Sequence, residues 1–234
     1  MRTTLVINPK GGSGKTTIAV NLAAAFAAEG IPTTLMDYDP QHSSLAWLAS
    51  RPPHAPRIHA ANGAPAKYRQ LRSFGMYVPA PTRHLIIDSP AGASGALVHE
   101  MVERSDCILV PIVPSVIDIR ATDSFLHALL AIPRVRAGRT CVGIVANKVR
   151  ASMPYQPFLG FVESLEVKLV GRLLDSDTYL RAAESGAGIF DMDPAQTGAE
   201  RRQLMPIVDW VEGENARIPN DERHGVRQIR RASF

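Results

Sequence analysis

Short apolar runs alternate along the chain with longer stretches whose apolar positions recur at helical spacing. Thr3–Asn8, Thr33–Met36, His84–Ile87, Cys107–Ile112, Cys141–Ala146 and Val167–Leu173 read as strands of the fully buried type, continuous rather than alternating. Between them, Thr16–Glu29 reads as a long apolar helix stopped by Gly30, and Ser43–Ser50 as a shorter one carrying Leu45, Trp47 and Leu48. Arg51–Arg83 is broken by six prolines, with a short strand expected at Arg57–Ala60 and a helix at Ala66–Phe74. Pro194–Val211 predicts a last helix that Pro206 should bend or break. Alternating strands and helices predict an α/β fold: a mostly parallel twisted sheet with helices on both faces. One domain is expected over residues 1–213. Hydrophobicity collapses from Gly213, so residues 214–234 are expected to form a flexible basic tail.

Composition narrows this picture. The chain has 234 residues, 45% of them hydrophobic, and contains no apolar run long enough to cross a membrane. Its two cysteines, Cys107 and Cys141, lie inside apolar runs without metal-binding spacing, which argues against a disulfide scaffold or a zinc or iron–sulfur site. The N-terminus lacks a signal-peptide pattern, so a cytoplasmic protein is expected. The net charge of +4 has an uneven origin. Arg223, Arg227, Arg230 and Arg231 account for all of it, leaving 22 basic against 22 acidic residues in 1–222.

The chemistry concentrates in Asn8-Pro9-Lys10-Gly11-Gly12-Ser13-Gly14-Lys15-Thr16-Thr17, between the first strand and the first helix. Glycines let backbone N–H groups close on a phosphate chain, and the helix that follows aims its positive end at the same point. Lys15 is placed to reach the β- and γ-phosphates, Thr16 to ligate Mg²⁺ and Thr17 to contact the α-phosphate. The usual G-x-x-x-x-G-K-[ST] pattern fails at Pro9, and an extra lysine, Lys10, stands beside it.

This loop resembles the deviant Walker A motif, K-G-G-x-G-K-[ST], of the ParA/MinD superfamily of P-loop ATPases. Asp37-Tyr38-Asp39-Pro40-Gln41 resembles the D-x-D-P-Q segment of the ParA branch, and His84–Gly92 its Walker B strand and switch. Val110–Ser115 and Val145–Lys148 fall where that family has later strands and adenine-side contacts. The matching segments run from about Arg2 to Phe190. The small size resembles the short, ParF-like partition ATPases.

The resemblance implies ATP and Mg²⁺ as cofactors, and roles for individual residues. Lys10, Lys15 and Asp39 are the catalytic candidates: Lys10 crosses to a partner's phosphates in a nucleotide-sandwich homodimer, and Asp39 positions the attacking water. Asp39 can equally act as a group behind Mg²⁺ or as a helix cap. Gly11, Gly12, Ser13 and Gly14 cradle the phosphates, and Asp88 holds Mg²⁺ through water. Pro90 belongs to a γ-phosphate sensor in which many relatives have a second proline where Ala91 stands. Asn147 offers a donor and an acceptor to the adenine edge, or is an ordinary turn residue. It is followed by Lys148-Val149-Arg150 instead of the pattern that selects guanine.

Three kinds of activity fit such a chain. The favoured one is a ParA-type positioning ATPase whose ATP-bound dimer binds DNA non-specifically and associates with the nucleoid. A small ParB-like cargo adaptor would stimulate its otherwise slow hydrolysis, and the cargo would be a plasmid, a chromosome or a body such as a carboxysome. Arg181, Arg201, Arg202 and the tail arginines are the candidate phosphate contacts on DNA. The second is a MinD-like membrane ATPase, disfavoured because the tail's apolar stripe of Val226, Ile229 and Phe234 is short. The third, an enzyme like the nitrogenase iron protein, requires dimer-bridging cysteines after Walker B. Cys107 and Cys141 lie inside strands instead.

Overall fold

The computed structural model describes residues 1–65, 75–153 and 155–213. Its seven strands are β1 (Arg2–Val6), β2 (Thr33–Asp37), β3 (His59–Asn62), β4 (His84–Asp88), β5 (Cys107–Ile112), β6 (Cys141–Val149) and β7 (Lys168–Leu174). They form one sheet in the order β3-β2-β4-β1-β5-β6-β7, and every pairing is parallel. The helices are α1 (Lys15–Ala28), α2 (Ser43–Ala49), α3 (Gly95–Glu103), α4 (Val116–Ala131), α5 (Pro133–Arg136), α6 (Tyr155–Ser164), α7 (Thr178–Glu184) and α8 (Pro194–Glu212).

Successive strand residues point to opposite faces, so each apolar strand supplies two cores. Val6, Ile86, Cys107 and Leu109 pack on one face with α1, Trp47 of α2 and Leu204 and Ile207 of α8. Leu5, Leu85, Ile87, Ile108 and Val110 pack on the other with Met101 of α3, Leu126 of α4 and Phe158 of α6. The continuous apolar runs are thus the mark of strands covered on both sides.

The expected strands all form, with ends displaced by at most three residues. The first begins at Arg2 and stops at Val6, releasing Asn8 into the loop, and the strand expected at Arg57–Ala60 runs over His59–Asn62. Gly30 ends α1 with a positive φ of 72°, donating its N–H to the Ala27 carbonyl at 3.0 Å. Pro206 does not break the last helix, because α8 continues through it to Glu212. The proline faces solvent, while Leu204, Ile207, Val208, Trp210 and Val211 are buried around it. That burial outweighs the loss of one helical hydrogen bond. The helix expected at 66–74 and the tail from 214 onward lie outside the described residues.

Candidate functional site

In a parallel sheet all the strands end on the same edge, which gathers the chain's polar loops there. Val6 at the end of β1 is paired with Asp88 at the end of β4, and Asp88 with Asp37 at the end of β2. Asn147 lies near the end of β6. This edge is the mouth of the site.

The phosphate loop climbs from β1 and turns into α1 at Gly14, whose φ of 92° belongs to the left-handed region. A Cβ at Gly14 would lie 2.0 Å from Asn147 Nδ2, so both backbone angle and space demand glycine. No side chain caps the first turn of α1, and no acid stands in it. Its free N–H groups and positive dipole end are therefore available to an anion. Asn147 Nδ2 donates to the Ser13 carbonyl at 2.7 Å, and Lys148 Nζ to the Gly12 carbonyl at 3.0 Å. The segment expected on the adenine side thus braces the phosphate loop from outside.

Lys15 is buried at the start of α1, and its Nζ donates to the Lys10 carbonyl at 3.2 Å. Burial lowers its pKa, and the charges of Asp88 and Asp39 oppose that shift. Thr16 and Thr17 are half-buried on the following turn. Beside them, between α1, α2 and α7, opens a cavity of about 340 Å³ lined in part by Asn21, Trp47 and Tyr179.

Asp88 is 1% exposed, and neither carboxylate oxygen has a hydrogen-bond partner among the described residues. Burial, reinforced by the neighbouring Asp37 charge, pushes its pKa up to about 7, and Thr16, Lys15 and Ser44 act in the opposite direction. A buried carboxylate with no donor is costly by itself. It is well suited to a hydrated divalent cation held beside the Thr16 hydroxyl. The donor set therefore fits Mg²⁺.

Asp37 differs. Its Oδ1 accepts from Asp39 N at 2.8 Å, and its Oδ2 from Ser44 N at 3.1 Å and Leu45 N at 3.2 Å. It is Asp37 that satisfies the start of α2, the capping role considered for Asp39. Asp39 is half-buried, and its Oδ1 accepts from Gln41 N at 2.9 Å. Past Asp88, Pro90 is buried and Gly92 N donates to the Pro9 carbonyl at 2.8 Å, tying the expected sensor segment to the phosphate loop.

Lys10 Nζ is paired with the Asp118 carboxylate on the first turn of α4. Sequence reasoning missed Asp118, because the contact spans 108 positions and arises only once β5 lies beside β1. Among the candidate DNA contacts, Arg181 and Arg202 are exposed. Arg201 is engaged in the fold: it donates to the carbonyls of Phe190 and Met192 at 3.2 and 2.7 Å and lies over the Phe190 ring. The four tail arginines lie outside the described residues. No cluster of three or more metal-ligating His, Cys, Asp or Glu side chains occurs among the described residues.

Residues 4–189 match the family model for the CobQ/CobB/MinD/ParA nucleotide binding domain. A protein named for maintenance of carboxysome distribution, from Gloeobacter kilaueensis, is 35% identical over 127 residues. That match spans 54% of this chain and 56% of that protein. A second protein of the same name, from Halothiobacillus neapolitanus, is 30% identical over 218 residues, spanning 91% of this chain and 95% of its own length. Among solved structures, MinD of Aquifex aeolicus aligns with a TM-score of 0.69 at 16% identity, covering 94% of this chain and 99% of its own. MinD of Pyrococcus horikoshii complexed with Mg-ADP aligns at 0.67 and 14% identity, covering 91% and 96%. A variant of Cyanothece McdA in complex with ATP aligns at 0.62 and 13% identity, covering 91% and 96%.

Proposed function

The chain belongs to the CobQ/CobB/MinD/ParA family of nucleotide-binding domains, and we propose that it is an ATPase of the partition and positioning kind. It closes as an ATP-bound homodimer, binds DNA without sequence preference, and partitions or positions a large cargo when a small adaptor protein stimulates hydrolysis. The nearly full-length likeness to a carboxysome-distribution protein makes a carboxysome or a comparable body a natural cargo class, alongside plasmids and chromosomes. Among the described residues no helix is long and apolar enough to cross a membrane.

One observation carries the reading. The uncapped start of α1, two loop lysines and the donor-free Asp88 carboxylate converge on one edge of the sheet, a set of charges that ATP and Mg²⁺ together complete. Lys15 and the N–H groups of residues 11–17 would hold the phosphates. Thr16, with Asp88 acting through water, would hold Mg²⁺, which supplies charge neutralisation at the β- and γ-oxygens. Asp39 orients water toward the γ-phosphorus, and Lys10 reaches the phosphates of a second copy. Asn147 fixes the loop's shape and faces the base.

Replacing Lys15 by Ala is expected to abolish nucleotide binding, measured by titration with a fluorescent ATP analogue. Undiminished affinity would remove the site assignment. Asp39→Ala is expected to leave a long-lived ATP dimer. The ATP-bound protein should be retained on arbitrary duplex DNA at low salt and released at moderate salt, as phosphate contacts require. Retention that is independent of ATP would refute the DNA step.

A further inference from the structure

The proposed function uses Lys10 in a second copy's site, yet here both ends of that residue are anchored in its own chain. Lys10 N donates to Asn8 Oδ1 at 2.9 Å, and Asn8, 1% exposed, donates through Nδ2 to the Pro111 carbonyl at 2.8 Å and Thr122 Oγ1 at 3.3 Å. The Thr122 hydroxyl donates to the Asp118 carbonyl at 2.8 Å, and the Asp118 carboxylate receives the Lys10 ammonium. These contacts close a ring from the Lys10 backbone to its own side-chain nitrogen. The Ser115 hydroxyl completes the seat by donating to Asp118 Oδ2, while Ser115 Oγ accepts from Asp118 N at 3.1 Å, fixing the carboxylate at the start of α4.

Asp118 opposes two copies closing on ATP in two ways. It neutralises the ammonium that would otherwise go to the other copy's phosphates. Its own negative charge would also stand close to those phosphates once Lys10 delivered them. We propose that Asp118 is a holding residue: it keeps Lys10 in its own chain and so sets the ATP concentration at which two copies of this protein close. Phosphate, the stronger acceptor with more charge, displaces the carboxylate only when ATP is bound. This rests on the reading that Lys10 crosses between copies. Two bare aliphatic side chains, Val116 and Ile117, 51% and 75% exposed, sit on the same turn, where a second copy would cover them.

Two measurements on the full chain separate the parts. Acetylation of Lys10 without nucleotide, followed by mass spectrometry, reads the seat alone. Asp118→Asn should raise its rate roughly threefold to tenfold, the effect of losing a partly buried charge-assisted pair, and Asp118→Glu should restore it in part. An unchanged rate overturns the seat. Sedimentation across an ATP titration reads the gating. Asp118→Asn should form dimers at a several-fold lower ATP concentration, and Asp118→Asn with Lys10→Ala should form none. An unchanged or higher ATP requirement overturns the gating. Should Asp118→Asn lower the melting temperature, Ser115→Ala keeps the carboxylate and is expected to shift both readouts the same way by a smaller factor. Failure of the unmodified protein to bind ATP would instead refute the proposed function, leaving the acetylation result to decide the seat.

Discussion

Asp37 and Asp88 end neighbouring strands in direct register, both buried, yet their surroundings are opposite. Three backbone N–H groups satisfy Asp37, two of them opening α2. Neither Asp88 oxygen has a hydrogen-bond partner among the described residues, although the Thr16 and Ser44 hydroxyls and the Lys15 charge favour its ionised form. Asp37 is a structural group whose carboxylate ties together the backbone of the loop it organises. Asp88 is a charge the fold compensates only in part, and burial beside Asp37 pushes its pKa up. Two identical side chains side by side thus mark the difference between an anion that builds the site and one that awaits a cation.

The comparison is open to direct attack. The largest effect is expected from Asp88→Ala, which should lower Mg²⁺-dependent ATP hydrolysis by about 10- to 100-fold, the usual cost of losing a group that acts on a metal through its water. Steady-state phosphate release checks this, and full activity would show that Asp88 serves the fold alone. Asp37→Ala should act first on stability, by about 2–4 kcal/mol in denaturant unfolding, because it strands buried backbone donors and uncaps α2. A loss below about 1 kcal/mol would mean that water replaces the carboxylate there.

The remaining effect concerns pH. The Asp88 carboxyl, raised from 3.8 to about 7, stays protonated in the folded chain where the unfolded chain has already ionised. Its contribution to stability therefore falls as pH rises across that window and levels off above it. Melting curves without Mg²⁺ should show this slope, and Asp88→Asn should flatten it. A slope identical in the variant would assign the pH dependence to other groups.

Much of this was legible in the sequence, for a physical reason. Strands buried on both faces need continuous apolar runs, and a phosphate loop is a contiguous segment whose spacing is set by the ligand. The fold class and the loop were accordingly readable, and even β3 was anticipated within a proline-broken stretch. Long-range contacts were not. Asp118 meets Lys10 only because the sheet order brings β5 beside β1, and nothing in Val116-Ile117-Asp118 announces it. The capping role falls to Asp37 rather than Asp39, and a D-x-D pair does not reveal which carboxylate turns inward onto the backbone. Local propensity at Pro206 does not break α8, because burial of the helix's apolar face outweighs one lost hydrogen bond.

The Asn147 amide occupies the space that a side chain at position 14 would need. Residues far apart in the chain are thereby bound to a common fate. A larger residue at 14 would have to push that amide aside and take up a strained backbone angle, and a displaced amide withdraws the brace from the Ser13 carbonyl. Shrinking 147 alone cannot free position 14, whose left-handed φ still calls for glycine. The nucleotide loop is in that sense inherited as a two-part lock, with one part stored far along the chain.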